Sequence, residues 1–257
     1  MIVNNRCHAG ETSSSADATV ADIMAIGGIA SAEYSAVEDP LAGQRMLDCA
    51  LDNYGQLDVV IANAGVSENR SFAQQSLQQF REVIDINLLG TVNVLHPAFR
   101  HMYAQRRGCI IISTSTAGLF GGHGLPAYSA SKAGLIGLAL SLSQEGAAHG
   151  LRVNALAPYA ATQMTEAYLP GSIAKQCSTE SVAKIAAWLA DDPCTLNGEI
   201  LIAGANRIGR ACMLTTRAAS ADPMQDAVWQ ELTAELPSRQ FDGAVEHFQA
   251  FIAESKA

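Results

Sequence analysis

The chain has 257 residues, 49% of them apolar and 16% charged, with 25 acidic against 16 basic side chains and a net charge of −9. That apolar share excludes a disordered chain, and the length suits one large α/β domain or two small ones. The acidic balance, with no basic cluster, excludes a nucleic-acid footprint; the longest apolar run, Leu135 to Leu142, is interrupted by Gly137 and is too short to span a bilayer.

Met1 leads straight into a strand at Ile2-Val3, which Asn4-Asn5 ends. A helix is expected at about 16–26, closed by Gly27-Gly28 as an ordinary helix stop, then a strand over Ile29–Tyr34 and a helix over 41–54. The strand Leu57–Ala62 precedes a long helical segment at 77–105, and Cys109–Ser113 precedes a helix at 128–149. Arg152–Leu156, a helix at 178–190 and Glu199–Ile202 complete the series. Most of these strands are apolar residue after residue, as strands buried on both faces are. Their alternation with helices predicts a doubly wound parallel sheet, a Rossmann-type α/β fold, over residues 1–210. Residues 211–257 form a C-terminal extension, expected to be helical over 222–254, with apolar spots at Val228, Trp229, Leu232, Phe248 and Phe251.

The six cysteines, Cys7, Cys49, Cys109, Cys177, Cys194 and Cys212, include no pair at CxxC spacing. They read as scattered reduced thiols of a cytoplasmic protein, and no ligand cluster supports zinc. The start lacks the basic flank and long apolar core of a signal peptide. The final Ser255-Lys256-Ala257 is one residue away from a peroxisomal address, which keeps that compartment as the alternative.

Chemistry gathers where three strands end. In PAYSASKAGL, Tyr128 and Lys132 lie four residues apart on one helix face, so an ammonium can favour the phenolate beside it. The strand before that helix runs out into Thr114-Ser115-Thr116, and Ser115 fits a turn residue as well as a ligand-facing hydroxyl. The strand ending in Asn63-Ala64-Gly65 offers a glycine for close backbone approach. The one ending at Pro158 leads on to Thr162. In an open parallel sheet, ligands bind outside these carboxyl ends.

Asn63-Ala64-Gly65, Asn87 in DINLLGT, Ser115, Tyr128-x-x-x-Lys132 and Pro158 with Thr162 together resemble the short-chain dehydrogenase/reductases, in order, up to about residue 210. More narrowly, APYAATQMTE, YLP, NGEILIAGANRIGR and the long tail look like the (3R)-hydroxyacyl-CoA dehydrogenase units of multifunctional β-oxidation enzymes. The resemblance implies an oxidoreductase that interconverts a secondary alcohol and a ketone with NADP or NAD. A 3-hydroxyacyl thioester is the first expectation for substrate, and a steroid-like or other hydrophobic alcohol the second. Tyr128 would be the general acid/base, Lys132 would lower its pKa and bond the nicotinamide ribose, and Ser115 would hold the carbonyl. Asn87 would hold a water in a proton relay, with a bond to a neighbouring backbone group as the alternative. Asn63, Ala64 and Gly65 would border the adenosine half, and Pro158 and Thr162 the nicotinamide. The substrate pocket would take in Gly121–Leu125, Tyr159 and the loop after Thr162, with His123 as a solvated bystander. The helices at 77–105 and 128–149 would pair copies into a homodimer or homotetramer.

Two departures stand out. The family opens with a central strand and a T-G-x-x-x-G-x-G turn, and no such motif occurs before Leu57. Ile2-Val3 then aligns with the second strand, so a gap is expected between it and Leu57–Ala62, with ladder groups unpaired on both sides. This reads as a shortened dehydrogenase; a non-catalytic binding or assembly subunit on the same fold is the alternative. Where NAD-using relatives carry an acidic residue after this strand, here stand Asn5 and Arg6, and Ser35 replaces a common adenine-contacting Asp. A cation there suits a 2′-phosphate, which favours NADP.

Overall fold

The computed structural model describes residues 1–6, 15–162, 164–165, 171–216 and 238–240. The chain divides into two compact units, 1–210 and 211–257.

In the first unit, five strands form one sheet in the order β3-β4-β5-β6-β7: Val59–Ala62, Gly108–Ser113, Leu151–Tyr159, Ile200–Gly204 and Arg207–Ala211. The first four run parallel, with Val59 opposite Cys109, Ile110 opposite Val153 and Pro158 opposite Ala203. β4 lies between β3 and β5. Its Ile110, Ile111 and Ile112 are fully buried, which is what an uninterrupted apolar run needs from a strand covered on both faces. Against one face Leu189, Cys194, Leu156 and Leu201 close a cluster, and the burial of Cys109 in it pushes its thiol pKa up. The free thiols Cys49, Cys109, Cys177, Cys194 and Cys212 all lie among the described residues. No helix among the described residues is long and apolar enough to cross a membrane.

β1 (Ile2–Asn4) and β2 (Ser31–Glu33) form a separate parallel pair. Between them α1 (Ser15–Ala25) ends at Gly27, whose φ of 83° places it in the left-handed region that the expected helix stop requires. β1 and β3 are not paired, and the expected gap between them is a cavity of about 890 Å³ lined by both strands.

α2 (Ala42–Tyr54) packs on α4 (Gly90–Gln105) at one close contact. Pro97 lacks the N–H that would bond the Asn93 carbonyl four residues back. Gly43 fills the place left: a Cβ added there would sit 2.0 Å from that oxygen and 2.7 Å from Val94 Cα. Gly43→Ala must therefore push the two helices apart, and a loss of about 1–3 kcal/mol in denaturant unfolding is expected.

The expected helix at 77–105 is three pieces. α3 (Leu77–Ile84) starts in a reciprocal cap, with Ser76 Oγ accepting from Gln79 N–H and Gln79 Oε1 accepting from Ser76 N–H. A π turn, Asp85–Leu89, then joins it to α4. Among the elements not expected are the five-residue α5 (Thr116–Phe120), and β7, which follows β6 through Ala205 and Asn206, both at positive φ. That two-residue turn matches strand twist without glycine. α6 (Pro126–Ala147) starts with proline in its first turn, as proline's fixed φ favours. The short α7 (Gly171–Ala174) and α8 (Thr179–Ala190) follow β5.

In the second unit, β8 (Leu214–Thr216) pairs antiparallel with β9 (Ser238–Gln240). β9 corrects the expected tail helix: Pro237 immediately precedes it, and proline blocks helix continuation. The rest of that expected helix, like Cys7, lies outside the described residues.

Candidate active site

The carboxyl ends of β3 and β4 meet the start of α6. At the last residue of β4, Ser113 Oγ–H donates to Asn63 Oδ1 at 2.6 Å, and its carbonyl accepts from Lys132 Nζ at 2.7 Å. One residue on, Thr114 N–H donates to Leu156 carbonyl and Thr114 Oγ–H to Lys132 carbonyl, each at 2.8 Å. Strand end and helix are thus tied at Lys132 twice, once through its backbone and once through its ammonium. That side chain is only 4% exposed, and burial pulls its pKa down from 10.5 to about 8.

Ser115 caps α5, its Oγ accepting from Ala117 N–H at 3.1 Å. Burial raises the pKa of the Tyr128 phenol, and the Ser115 hydroxyl beside it draws it partly back. The Lys132 ammonium lies 5.7 Å from the centre of the Tyr128 ring. Gly118 lets α5 lie directly on α6, because a Cβ there would come 2.7 Å from Lys132 C and 2.8 Å from Ala133 N.

Asn87 is fully buried in the π turn, an element enriched at functional sites. Its Oδ1 accepts from Val66 N–H at 2.7 Å, and its amide donates to Val66 carbonyl at 2.9 Å and Ser131 Oγ at 3.1 Å. Both amide hydrogens are therefore used on neighbouring groups, while one lone pair of Oδ1 remains. Gly65 sits between this amide and the lysine: a Cβ there would be 3.2 Å from Asn87 Oδ1 and 3.5 Å from Lys132 Nζ.

The structure therefore gathers Asn63, Gly65, Asn87, Ser115, Tyr128 and Lys132. Asn5 and Arg6 stand apart, on the wall of the large cavity that Asn63, Ala64 and Gly65 also line. Arg6 forms an ion pair with Glu38, and Asn5 bonds Ser15. Pro158 remains within β5, two residues beyond the strand end expected at Leu156. Thr162 N–H donates to Thr165 Oγ1 at 2.9 Å, and no hydrogen bond among the described residues links Thr162 to Tyr128 or Lys132. His123 is exposed. Most of the loop after Thr162, with YLP, lies outside the described residues. Sequence reasoning missed Ser113, Thr114, Ser131 and Glu38. Ser131 carries a usable signal, three residues after Tyr128 on the same helix face; Glu38 carries none.

The profile of the family described as short chain dehydrogenase matches residues 5–171, and the chain belongs to that family of oxidoreductases. A short-chain type dehydrogenase/reductase of Mycobacterium tuberculosis is 35% identical over 87% of this chain and 80% of its own length. Peroxisomal multifunctional enzyme type 2 of Mus musculus is 37% identical over 78% of this chain, which matches 27% of that enzyme's length. The solved structure of the full-length peroxisomal multifunctional enzyme type 2 from Drosophila melanogaster superposes with a TM-score of 0.78 at 27% identity, over 93% of this chain and 43% of that one. A short chain dehydrogenase from Mycobacterium avium gives the same TM-score at 29% identity, over 95% of this chain and 89% of that one.

Proposed function

We propose that this chain interconverts a secondary alcohol and a ketone with a nicotinamide cofactor, NADP in preference to NAD, and that its substrate is a 3-hydroxyacyl thioester or its 3-oxo counterpart. The observation that carries the reading is the buried Lys132 ammonium set 5.7 Å from the centre of the Tyr128 ring, with Ser115 beside the phenol. Multifunctional peroxisomal relatives and a 3-oxoacyl-[acyl-carrier-protein] reductase of Synechocystis, 35% identical over 71% of this chain, support the acyl substrate.

The cofactor would supply or accept the hydride. Tyr128 exchanges the proton with the substrate oxygen, and Ser115 holds that oxygen by hydrogen bonding. The charge of Lys132 favours the phenolate form of Tyr128. With one ammonium hydrogen on Ser113 carbonyl, two remain for ribose hydroxyls. Asn87 would anchor a relay water through the remaining lone pair of Oδ1. Gly65 suits the nicotinamide-ribose end, since its missing Cβ leaves space against Asn87 and Lys132. Asn63 and Ala64 would border the adenosine half, with Pro158 and Thr162 near the nicotinamide. Among the described residues no glycine-rich loop cradles a diphosphate.

Arg6 would take the 2′-phosphate by leaving Glu38. The pair is more than a third exposed, so it is worth no more than about 1 kcal/mol, less than charge-assisted bonds to a phosphate dianion. Glu38→Gln should widen the preference for NADPH over NADH several-fold in a nicotinamide-fluorescence titration, and Arg6→Ala should erase it. Equal ratios in all three proteins would remove Arg6 from the site.

Scattered free thiols fit a reducing compartment, and we place the chain in the cytoplasm, with the peroxisome of the relatives as the alternative. We place the copy-to-copy contacts of a homodimer or homotetramer on α4 and α6. The reading is tested by cofactor turnover with a short 3-oxoacyl thioester.

A further inference from the structure

A serine in the interior of a helix costs propensity relative to alanine, and when buried its hydroxyl must find a partner. Ser131 of α6 is fully buried, one residue before Lys132, and its hydroxyl is used twice. It donates to the Tyr128 carbonyl at 2.8 Å and accepts from the Asn87 amide at 3.1 Å. Ser143 and Ser181 make the first kind of bond too, to the carbonyls of Leu140 and Ser178 three residues back. That bond is what a buried helix serine forms by default. The second bond ties the turn of α6 that carries Tyr128 and Lys132 to the π turn that carries Asn87.

Asn87 Oδ1 and one amide hydrogen bond the N–H and carbonyl of a single residue, Val66. Two bonds to one neighbour act as a hinge, about which the amide plane can still tilt. The one hydrogen of the Ser131 hydroxyl goes to Tyr128 carbonyl, so toward Asn87 that hydroxyl only accepts. It thereby takes the second amide hydrogen and fixes the tilt. Oδ1 then borders the space at Gly65, where an added Cβ would lie 3.2 Å from it and 3.5 Å from Lys132 Nζ. The packing of the π turn on α6 has a support besides Ser131, since a Cβ added to Gly134 would come 3.0 Å from Leu88 Cδ2.

We infer that Ser131 is a positioning residue for proton transfer: through its bond to Asn87 it aims the remaining lone pair of Oδ1 at the gap beside Lys132. Ser131 has this role only within the proposed dehydrogenase chemistry, in which Asn87 anchors the relay water. Alanine at 131 leaves one Asn87 amide hydrogen buried without a partner, and the amide turns about Val66 to satisfy it. The phenol, the ammonium and the Ser113 carbonyl stay in place. Substrate and cofactor binding are therefore kept while proton delivery slows.

The test is steady-state kinetics of the full chain with acetoacetyl-CoA and NADPH, in H2O and in D2O. Ser131→Ala should lower kcat by about 10–100-fold and leave both KM values within about twofold. The solvent isotope effect on kcat should rise, because the slowed proton transfer then limits the rate. Ser129→Ala is the control: its hydroxyl is also buried on α6, next to Tyr128, with no hydrogen-bond partner among the described residues, and its removal should change none of these values. In an Asn87→Ala background, Ser131→Ala should cost nothing further. An unchanged kcat in Ser131→Ala, an equal loss in both backgrounds, or a loss without a larger isotope effect would each overturn the inference alone. A wild-type chain without turnover would overturn the dehydrogenase reading and this inference with it.

Discussion

Tyr128→Phe should remove turnover while leaving the fold intact. The ring stays, so its packing and the approach of the Lys132 ammonium are kept, and only the hydroxyl beside Ser115 is lost. General acid/base catalysis by a positioned side chain contributes about 10²–10⁴-fold, and a fall of that order in kcat with little change in KM is expected. Unfolding midpoints of the two proteins should agree within a few degrees. A Tyr128→Phe enzyme that keeps its kcat would remove the phenol from the chemistry.

Lys132→Met should trade activity for stability. Below pH 8 folded and unfolded chains both carry the ammonium, and the folded chain bears the full cost of burying it. Between about pH 8 and 10.5 the unfolded chain holds a proton that the folded chain has released, so stability rises with pH through that window. The depression corresponds to about 3 kcal/mol, from which the bond to Ser113 carbonyl recovers only part. The methionine variant should thus unfold at higher denaturant at pH 7, by about 1–3 kcal/mol, and lose the rise that the wild type shows above pH 8. It should also lose turnover. A variant less stable than wild type at pH 7 would mean that the ammonium is held by partners strong enough to offset its burial.

How far the sequence reaches can be seen element by element. β4 was legible because Cys-Ile-Ile-Ile can be apolar throughout only when both faces are covered. The meeting of Ser115, Tyr128 and Lys132 was legible because helix spacing and the end of a parallel strand each point to the same edge. The gap beside β1 was legible from the glycine motif that the opening residues lack, and it is found as the cavity between β1 and β3. Illegible features depend on contacts distant in sequence. The Arg6–Glu38 pair joins residues that no local pattern relates; the backbone bond that was the alternative for Asn87 is present, but its partner Val66, 21 residues away, was not foreseen. The β6–β7 turn was missed because Ala205 and Asn206 take the left-handed conformation without a glycine to announce it. The tail strand at Ser238–Gln240 was missed because the apolar spots at Val228, Trp229, Leu232, Phe248 and Phe251 were read as one helix running through Pro237.

Docking of a nicotinamide ribose at Lys132, beside Tyr128, is the central event of the proposed chemistry. Titrating the chain and its Lys132→Met variant with NADPH and NADH, followed by nicotinamide fluorescence, measures that event without assuming a substrate. Saturable binding to the chain, tighter for NADPH and lost in the variant, is the predicted result. Binding of neither cofactor to the folded chain, or equal binding to the variant, would contradict it.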